Sequence, residues 1–225
     1  PKPLRVLVTA GPTREMLDPV RFLSNVSTGH MGYELAREAK RRGCHVTLVS
    51  GPTGLKPPRG VHVTGVLTAR QMQQAISKLW PRTNILFMTA AVCDYTPVRF
   101  SPSKIKRIER KTIRFKPTED ILQSMGKRKG NRILVGFALE TENFLRNAAR
   151  KLKAKRLDLV VLNWYRRGHN PFGANRTSML LVDAHGRKKH LPRMSKTQSA
   201  REIVDETLKL RMAVKKGVKK GVKKG

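Results

Sequence analysis

Acidic side chains are scarce in this sequence: 15 Asp and Glu stand against 48 Lys and Arg, leaving a formal charge of +33 on 225 residues. So one-sided a charge attracts polyanions, with a nucleotide, a nucleic acid or an anionic membrane surface as candidates, and carries no information about fold. Cysteine is nearly absent. Cys44 and Cys93 make no C-x-x-C pair and no close pattern of His and Cys accompanies them, so nothing points to a structural zinc site, and a reducing cytoplasm fits this usage. Aromatic residues make up 5% of the chain, with Trp80 and Trp164 its tryptophans, which leaves a nucleic-acid reader without stacking platforms. No apolar run approaches a membrane span, and Pro1-Lys2-Pro3 passes directly into a strand without a charged-then-apolar leader. The expectation is a soluble, unexported, cytoplasmic protein.

What the chain does have begins with Leu4-Arg5-Val6-Leu7-Val8, an apolar strand. It runs into Thr9-Ala10-Gly11-Pro12-Thr13-Arg14-Glu15 and then Arg21-Phe22-Leu23-Ser24-Asn25-Val26-Ser27-Thr28-Gly29-His30-Met31-Gly32, with an amphipathic helix starting at about Gly29. The first N–H groups of a helix lack partners and carry partial positive charge, so an anion is favoured there. Gly29 and Gly32 let a ligand approach the main chain, and Ser27 and Thr28 add hydroxyls, either of which could cap the helix. The loop is much longer than the roughly two to six residues usual for such connections, and long loops in compact domains are commonly functional. Without a ligand the same pattern is a strand, a loop and a capped helix. Two nucleotide signatures are missing: Gly11 is followed by Pro12 instead of opening G-x-G-x-x-G, and no Gly-Lys-Ser/Thr ends a Walker loop.

Strand and helix then alternate. Gly43 is a natural helix stop, and His45-Val46-Thr47-Leu48-Val49-Ser50, a short run from Val61 to Val66, and Asn84-Ile85-Leu86-Phe87-Met88-Thr89 read as strands. Thr68 caps a helix with Met72, Ala75, Ile76 and Leu79 on one face. Thr118-Glu119-Asp120 starts another helix, a hydroxyl cap followed by acids. Arg132-Ile133-Leu134-Val135-Gly136-Phe137 and Leu157-Asp158-Leu159-Val160-Val161-Leu162 are strands around a helix led by Glu140-Thr141-Glu142-Asn143. After an Asn170-Pro171-Phe172-Gly173-Ala174-Asn175 loop, a hairpin closes around Asp183-Ala184-His185-Gly186, and Ser195 caps a helix containing Ile203, Val204 and Leu208. This predicts an α/β fold, a Rossmann-like parallel sheet with helices on both faces, with its ligand beyond the carboxyl ends of the strands.

Residues 97–116 break the rhythm, with Lys104-Ile105-Lys106-Arg107-Ile108 and Thr112-Ile113-Arg114-Phe115 alternating as two antiparallel ribbons joined near Glu109-Arg110-Lys111. One domain over 1–210 is expected, followed by a disordered Lys-rich tail over 211–225 whose Val-Lys-Lys-Gly repeat has too few apolar groups to offset the entropy of ordering. The tail is a solubility device or a weak nucleic-acid or membrane contact.

Together, Thr9 to Glu15, Asp18-Pro19-Val20-Arg21, Ser24 to Gly29, Ala90-Ala91-Val92-Cys93-Asp94-Tyr95, Ser103 to Lys106, Thr118 to Leu122 and Gly136-Phe137-Ala138-Leu139-Glu140-Thr141 closely resemble phosphopantothenoylcysteine synthetase, the ligase of coenzyme A biosynthesis. The match is collinear from about Val6 to about Leu208. It implies a CTP-dependent enzyme that activates phosphopantothenate as an acyl cytidylate and couples it to cysteine, with Mg2+ bridging the phosphates. It also implies a homodimer whose antiparallel extension serves as flap and dimerisation element. By resemblance Lys104 is the flap cation, Asn25 holds the acyl cytidylate, and Arg21 orients the acyl or phosphate portion. Gly11, Ala90, Asp94, Thr118, Glu119, Asp120, Ile121 and Phe137 shape the nucleotide pocket, and Lys151 and Lys155, four apart, meet the triphosphate.

Three departures stand out. His30 occupies a place where relatives commonly have lysine, Leu162-Asn163-Trp164 replaces the more usual Ala-Asn-Asp, and the flavin-dependent decarboxylase often fused to bacterial relatives is not in this sequence, so either a separate decarboxylase is the partner or the chain is a domain excised from a longer protein. The competing readings are a basic nucleic-acid-binding protein on the same scaffold and an NAD(P)-dependent dehydrogenase. Against the latter, Tyr95 is followed four residues on by Arg99, not by lysine.

Overall fold

Each apolar run places alternate side chains on opposite faces of a strand, and the helices between carry apolar residues three and four apart, so both kinds of element have a face to bury. The computed structural model describes residues 2–107, 112–140, 142–164 and 175–222, with side chains through 214. In chain order the elements are β1 (Arg5–Ala10), β2 (Arg14–Met16), β3 (Phe22–Ser24), α1 (His30–Arg41), β4 (His45–Ser50), β5 (His62–Gly65), α2 (Ala69–Leu79), β6 (Ile85–Met88), β7 (Tyr95–Pro97), β8 (Phe115–Pro117) and α3 (Ile121–Lys127). There follow β9 (Ile133–Glu140), α4 (Phe144–Ala154), β10 (Leu159–Trp164), β11 (Arg176–Asp183), β12 (Lys188–Ser195) and α5 (Lys196–Val222).

The main sheet has the order β12-β11-β10-β9-β6-β1-β4-β5. Neighbours from β5 across to β10 pair parallel, and β11 and β12 pair antiparallel at one edge. The fold is the expected Rossmann-like α/β sheet. Alternation along β1 sorts its two cores. Val6, Val8 and Ala10 belong to the cluster beneath α1 and α5 with Leu35, Ala36, Ile203 and Val204, whereas Leu7 joins Met72, Ile76, Met125 and Leu152 beneath α2, α3 and α4. Each of the Val, Leu, Ile and Met side chains among these contributes about 1.5–3 kcal/mol when fully buried. Because β4 lies on one side of β1 and β6 on the other, the loops leaving these strands diverge and open a crevice at their carboxyl ends.

Two helix starts form as their sequences indicate. The Thr68 hydroxyl accepts from Gln71 N at 3.2 Å while Gln71 Oε1 accepts from Thr68 N at 3.1 Å, and Ser195 with Gln198 repeats this reciprocal cap at the start of α5. Gly43, at φ 77°, ends α1 where only glycine is at ease.

Other starts differ from expectation. Neither Ser27 nor Thr28 caps α1: the N-cap is Gly29, at φ 78°, with no side-chain cap. Asp120, not Thr118, caps α3, accepting from Gln123 N at 2.9 Å, because the Thr118 hydroxyl donates instead to Cys93 O at 2.6 Å. The flap's strands also lie elsewhere. β7 pairs with β8, Thr96 opposite Lys116, so Tyr95-Thr96-Pro97 supplies the partner strand, while 104–107 form no strand and the expected turn at 109–111 lies outside the described residues. The loop expected over 170–175 likewise lies outside them, apart from Asn175.

The tail differs too: α5 continues as helix to Val222 where disorder is expected from 211. Its first half is already nucleated against the sheet, and lysine adds to an existing helix at little cost. Among the described residues no helix is long and apolar enough to cross a membrane.

Candidate functional site

The long loop after β1 builds a hairpin of its own, β2 against β3, which the sequence pattern did not foreshadow. Asp18, fully buried, closes the hairpin's turn. Its Oδ1 accepts from the N–H groups of Val20 and Arg21 at 2.8 Å each, and its Oδ2 from Arg21 Nη1 at 2.5 Å and Ile105 N at 3.0 Å. Burial alone would raise this carboxyl, but the donors, Ile105 foremost, outweigh it and hold it far below the usual carboxylate range. Arg21 Nη1 also donates to Ile105 O at 3.0 Å. Asp18 and Arg21 thus pin the flap by both backbone groups of the residue after Lys104. Glu15 serves a different element, its Oε1 accepting from Ala69 N at 2.7 Å in the first turn of α2.

Beyond the carboxyl ends of the central strands lies a cavity of about 770 Å³. Asn25, Ala90, Asp94, Thr118, Glu119, Asp120, Ile121, Phe137, Lys151 and Lys155 all line it, as does His30. Gly11, Arg21 and Lys104 do not. Gly11 packs behind the wall, where a side chain on Gly29 would come within 3.1 Å of its N. Lys104 is exposed on the flap.

The Asn25 amide is held firmly. Its Nδ2 donates to the carbonyls of Ala91 and Val92, both at 3.2 Å, which leaves Oδ1 as the end with acceptor capacity to spare. Lys151 Nζ donates to Phe137 O at 2.6 Å, and Lys155 Nζ pairs with Asp120 Oδ2 at 2.7 Å. The two lysines thus reach different partners within one cavity, Lys151 the β9 backbone and Lys155 the cap of α3, and Lys155 itself is the residue that ends α4. Burial, and secondarily the neighbouring Lys155, pushes the Lys151 ammonium down. An arriving phosphate would relieve both effects. Burial would raise the Asp120 carboxyl, but Lys155 and the Gln123 N–H more than offset it and hold it below its ordinary value.

α1 meets the cavity with an uncapped end and no acid in its first turn, so its first N–H groups remain available to an anion. Gly32 is what lets that end lie so close to β1. A Cβ there would sit 2.6 Å from Ala10 Cβ and 2.9 Å from Thr9 O. Gly32→Ala is expected to lift the start of α1 off the strand at a cost of about 1–3 kcal/mol. A urea midpoint equal to that of the unaltered protein would contradict this.

The acid missing after Asn163 is replaced by packing: the Trp164 ring lies 6.2 Å from that of Phe144 at the start of α4. The cavity also has residues that the sequence did not single out as ligands, among them Val161, Met179 and Lys196, which come from three elements far apart in the chain and share no spacing signal. Among the described residues no group of three or more His, Cys, Asp or Glu comes together as a metal site.

A profile of the DNA/pantothenate metabolism flavoprotein C-terminal domain matches residues 2–210. The chain is 42% identical over 203 residues to the coenzyme A biosynthesis bifunctional protein CoaBC of Bacillus subtilis, covering 89% of this chain and 50% of the relative. To the protein of that name from Escherichia coli K12 it is 38% identical over 210 residues, covering 91% and 52%. It thus spans about half the length of these curated relatives. The crystal structure of the C-terminal domain of a CoaBC superposes with a TM-score of 0.80 at 35% identity, covering 95% of this chain and 96% of that one. A Cab2 variant in complex with phosphopantothenate-cysteine shares the fold at a TM-score of 0.79, with 16% identity over 96% of this chain and 89% of that one. The chain is a member of the DNA/pantothenate metabolism flavoprotein C-terminal domain family.

Proposed function

We propose that this chain is a phosphopantothenate-cysteine ligase of coenzyme A biosynthesis that uses CTP. The observation that carries this reading is the convergence on one cavity of a fixed amide, an open helix end and two lysines, contributed by Asn25, α1, Lys151 and Lys155. A carboxylate and a triphosphate repel each other, so their reaction needs cations and helix ends more than a covalent nucleophile.

In the first half, a carboxylate oxygen of phosphopantothenate attacks the α-phosphorus of CTP and pyrophosphate leaves. In the second, the amine of cysteine attacks the acyl carbon, CMP departs with the bonding pair, and the amine loses a proton. Lys104, carried over by the flap, would neutralise charge in the first half. Asn25 Oδ1 would accept a hydrogen of the attacking amine in the second. Arg21, already engaged with Asp18 and Ile105, holds the flap and would reach a substrate oxyanion only by exchanging one of those partners. Ala90, Asp94, Phe137 and the Thr118–Ile121 segment would hold the nucleoside.

Magnesium fits this donor set as a phosphate-bound ion. Asp120 and Glu119 are engaged with Lys155 and Gln73, while Asp94 has no side-chain partner among the described residues and could face the ion or its water. When bound, the ion supplies charge neutralisation on the phosphates. Phe22, Leu23, Val26, Tyr95, Val98, Phe100 and Phe115 are exposed apolar residues on or beside the two small hairpins, and a second copy of the chain is the occupant we assign to that face. A flavin-dependent decarboxylase would consume the product.

The reading is tested by pyrophosphate release with phosphopantothenate, comparing CTP with ATP, with and without cysteine. Release with CTP, and amide formation only when cysteine is added, is the expected outcome. No release with either nucleotide would overturn it.

A further inference from the structure

Lys196, the first residue of α5, is 8% exposed and lines the cavity. Among the described residues its ammonium has no hydrogen bond or ion pair, and nothing offsets the burial that pushes it down. The stem of the side chain is buried while the ammonium keeps an opening to the cavity, and a cation held in so enclosed a place is costly unless something in the cavity supplies the counter-charge. The surrounding wall cannot. Val161 and Met179 are apolar, and the Asn163 Oδ1 already accepts from Trp164 N at 3.0 Å and from the Thr177 hydroxyl at 3.3 Å.

A second observation says where the missing charge belongs. The Thr197 hydroxyl donates to Glu34 Oε2 at 2.9 Å and so fastens the start of α5 to α1. Lys196 and the first turn of α1, through His30, Met31 and Gly32, line the same cavity, and α1 starts there without a side-chain cap. We infer that Lys196 and the open end of α1 together form a phosphate subsite, distinct from the Lys151 and Lys155 pair held by Phe137 O and Asp120. The inference rests on the ligase reading for its choice of ligand, since both the nucleotide and phosphopantothenate carry phosphate. Two separated cationic points would keep two phosphorylated anions apart while their reacting ends meet.

The test is calorimetric titration of the full chain, unaltered, as Lys196→Met and as Lys196→Arg, with CTP, phosphopantothenate, inorganic pyrophosphate and phosphate-free cytidine. Lys196→Met is expected to weaken at least one phosphorylated ligand roughly tenfold or more while leaving cytidine unchanged, and Lys196→Arg is expected to retain most of the affinity. Whether CTP or phosphopantothenate is the ligand weakened identifies which reactant uses the subsite. Because methionine removes an unpaired charge from an enclosed place, its melting temperature should hold or rise. Wild-type affinity of Lys196→Met for every phosphorylated ligand would overturn the proposal, as would equal losses for cytidine accompanied by a lower melting temperature. Failure of the ligase reading shows separately, as absent pyrophosphate release by the unaltered protein, and the pyrophosphate titration still decides the role of Lys196.

Discussion

Asn25→Asp is expected to release pyrophosphate and then accumulate the acyl cytidylate, whereas Lys104→Gln is expected to stop before pyrophosphate leaves. The structure gives the first expectation its physical basis. Nδ2 of Asn25 points at the carbonyl oxygens of Ala91 and Val92, so a carboxylate in its place sets oxygen against oxygen at both contacts. The side chain must turn away, and the oxygen that would accept from the incoming amine is displaced from the cavity. Loss of one oriented hydrogen-bonding group of this kind costs about 10²–10³ in rate. Activation does not need that group, so pyrophosphate release survives.

Lys104 stands on the flap, one residue before the Ile105 backbone that Asp18 and Arg21 grip, and outside the cavity wall. In the proposed reaction a cation mounted on such an anchor would reach the phosphates from the flap, and glutamine keeps its polarity without its charge. A loss of similar size, confined to the first half, is expected for Lys104→Gln. Separating acyl cytidylate, CMP and pyrophosphate by chromatography after a single turnover checks both. Equal loss in both halves by both variants would refute the division of labour.

Asp18→Asn should detach the flap. One carboxylate accepts from Val20, Arg21 and Ile105 at once, and an amide in its place presents a donor to one of those donors. Arg21, whose side chain is partly exposed, then loses its ion-pair partner. Turnover is expected to fall by about 10²-fold with little change in the apparent affinity for nucleotide, because the cavity's own residues are untouched. Limited proteolysis should cut within 97–116 more quickly than in the unaltered protein.

The pH dependence has a definite sign. The Asp18 carboxyl is held below its unfolded value, so its contribution to stability is complete above about pH 4 and drains away as pH falls through the lower folded value. The difference in melting temperature between the unaltered protein and Asp18→Asn should be largest near neutrality and shrink in acid. A difference independent of pH between about 2 and 7 would mean that the carboxylate charge is not what holds the turn.

Much of the cavity lining was legible before the fold was known because its residues come in short contiguous blocks. Thr118 to Ile121 and Ala90 to Asp94 follow strands, and in a parallel sheet whatever follows a strand faces the same crevice. Spacing put Lys151 and Lys155 on one helical face, but a solvated face has the same spacing, and it was the family resemblance that pointed them at the cavity they line. The caps of α1 and α3 were not. Ser, Thr and Asp compete locally for the same N–H groups, and the Thr118 hydroxyl was drawn to Cys93 O, a partner outside its own segment.

Period-two alternation in apolar runs, broken by helical stretches and glycine stops, was enough on its own to determine a parallel α/β sheet with helices on both sides, and the motif blocks fell at the end of it where the cavity lies. Tertiary structure alone decided that Asp18 and Arg21 hold the backbone of Ile105, that Glu15 serves α2, and that Lys196 lines the cavity with no side-chain partner among the described residues. Those assignments depend on contacts between segments tens of residues apart, where neither periodicity nor spacing acts and only the packing of one element on another sets which groups meet.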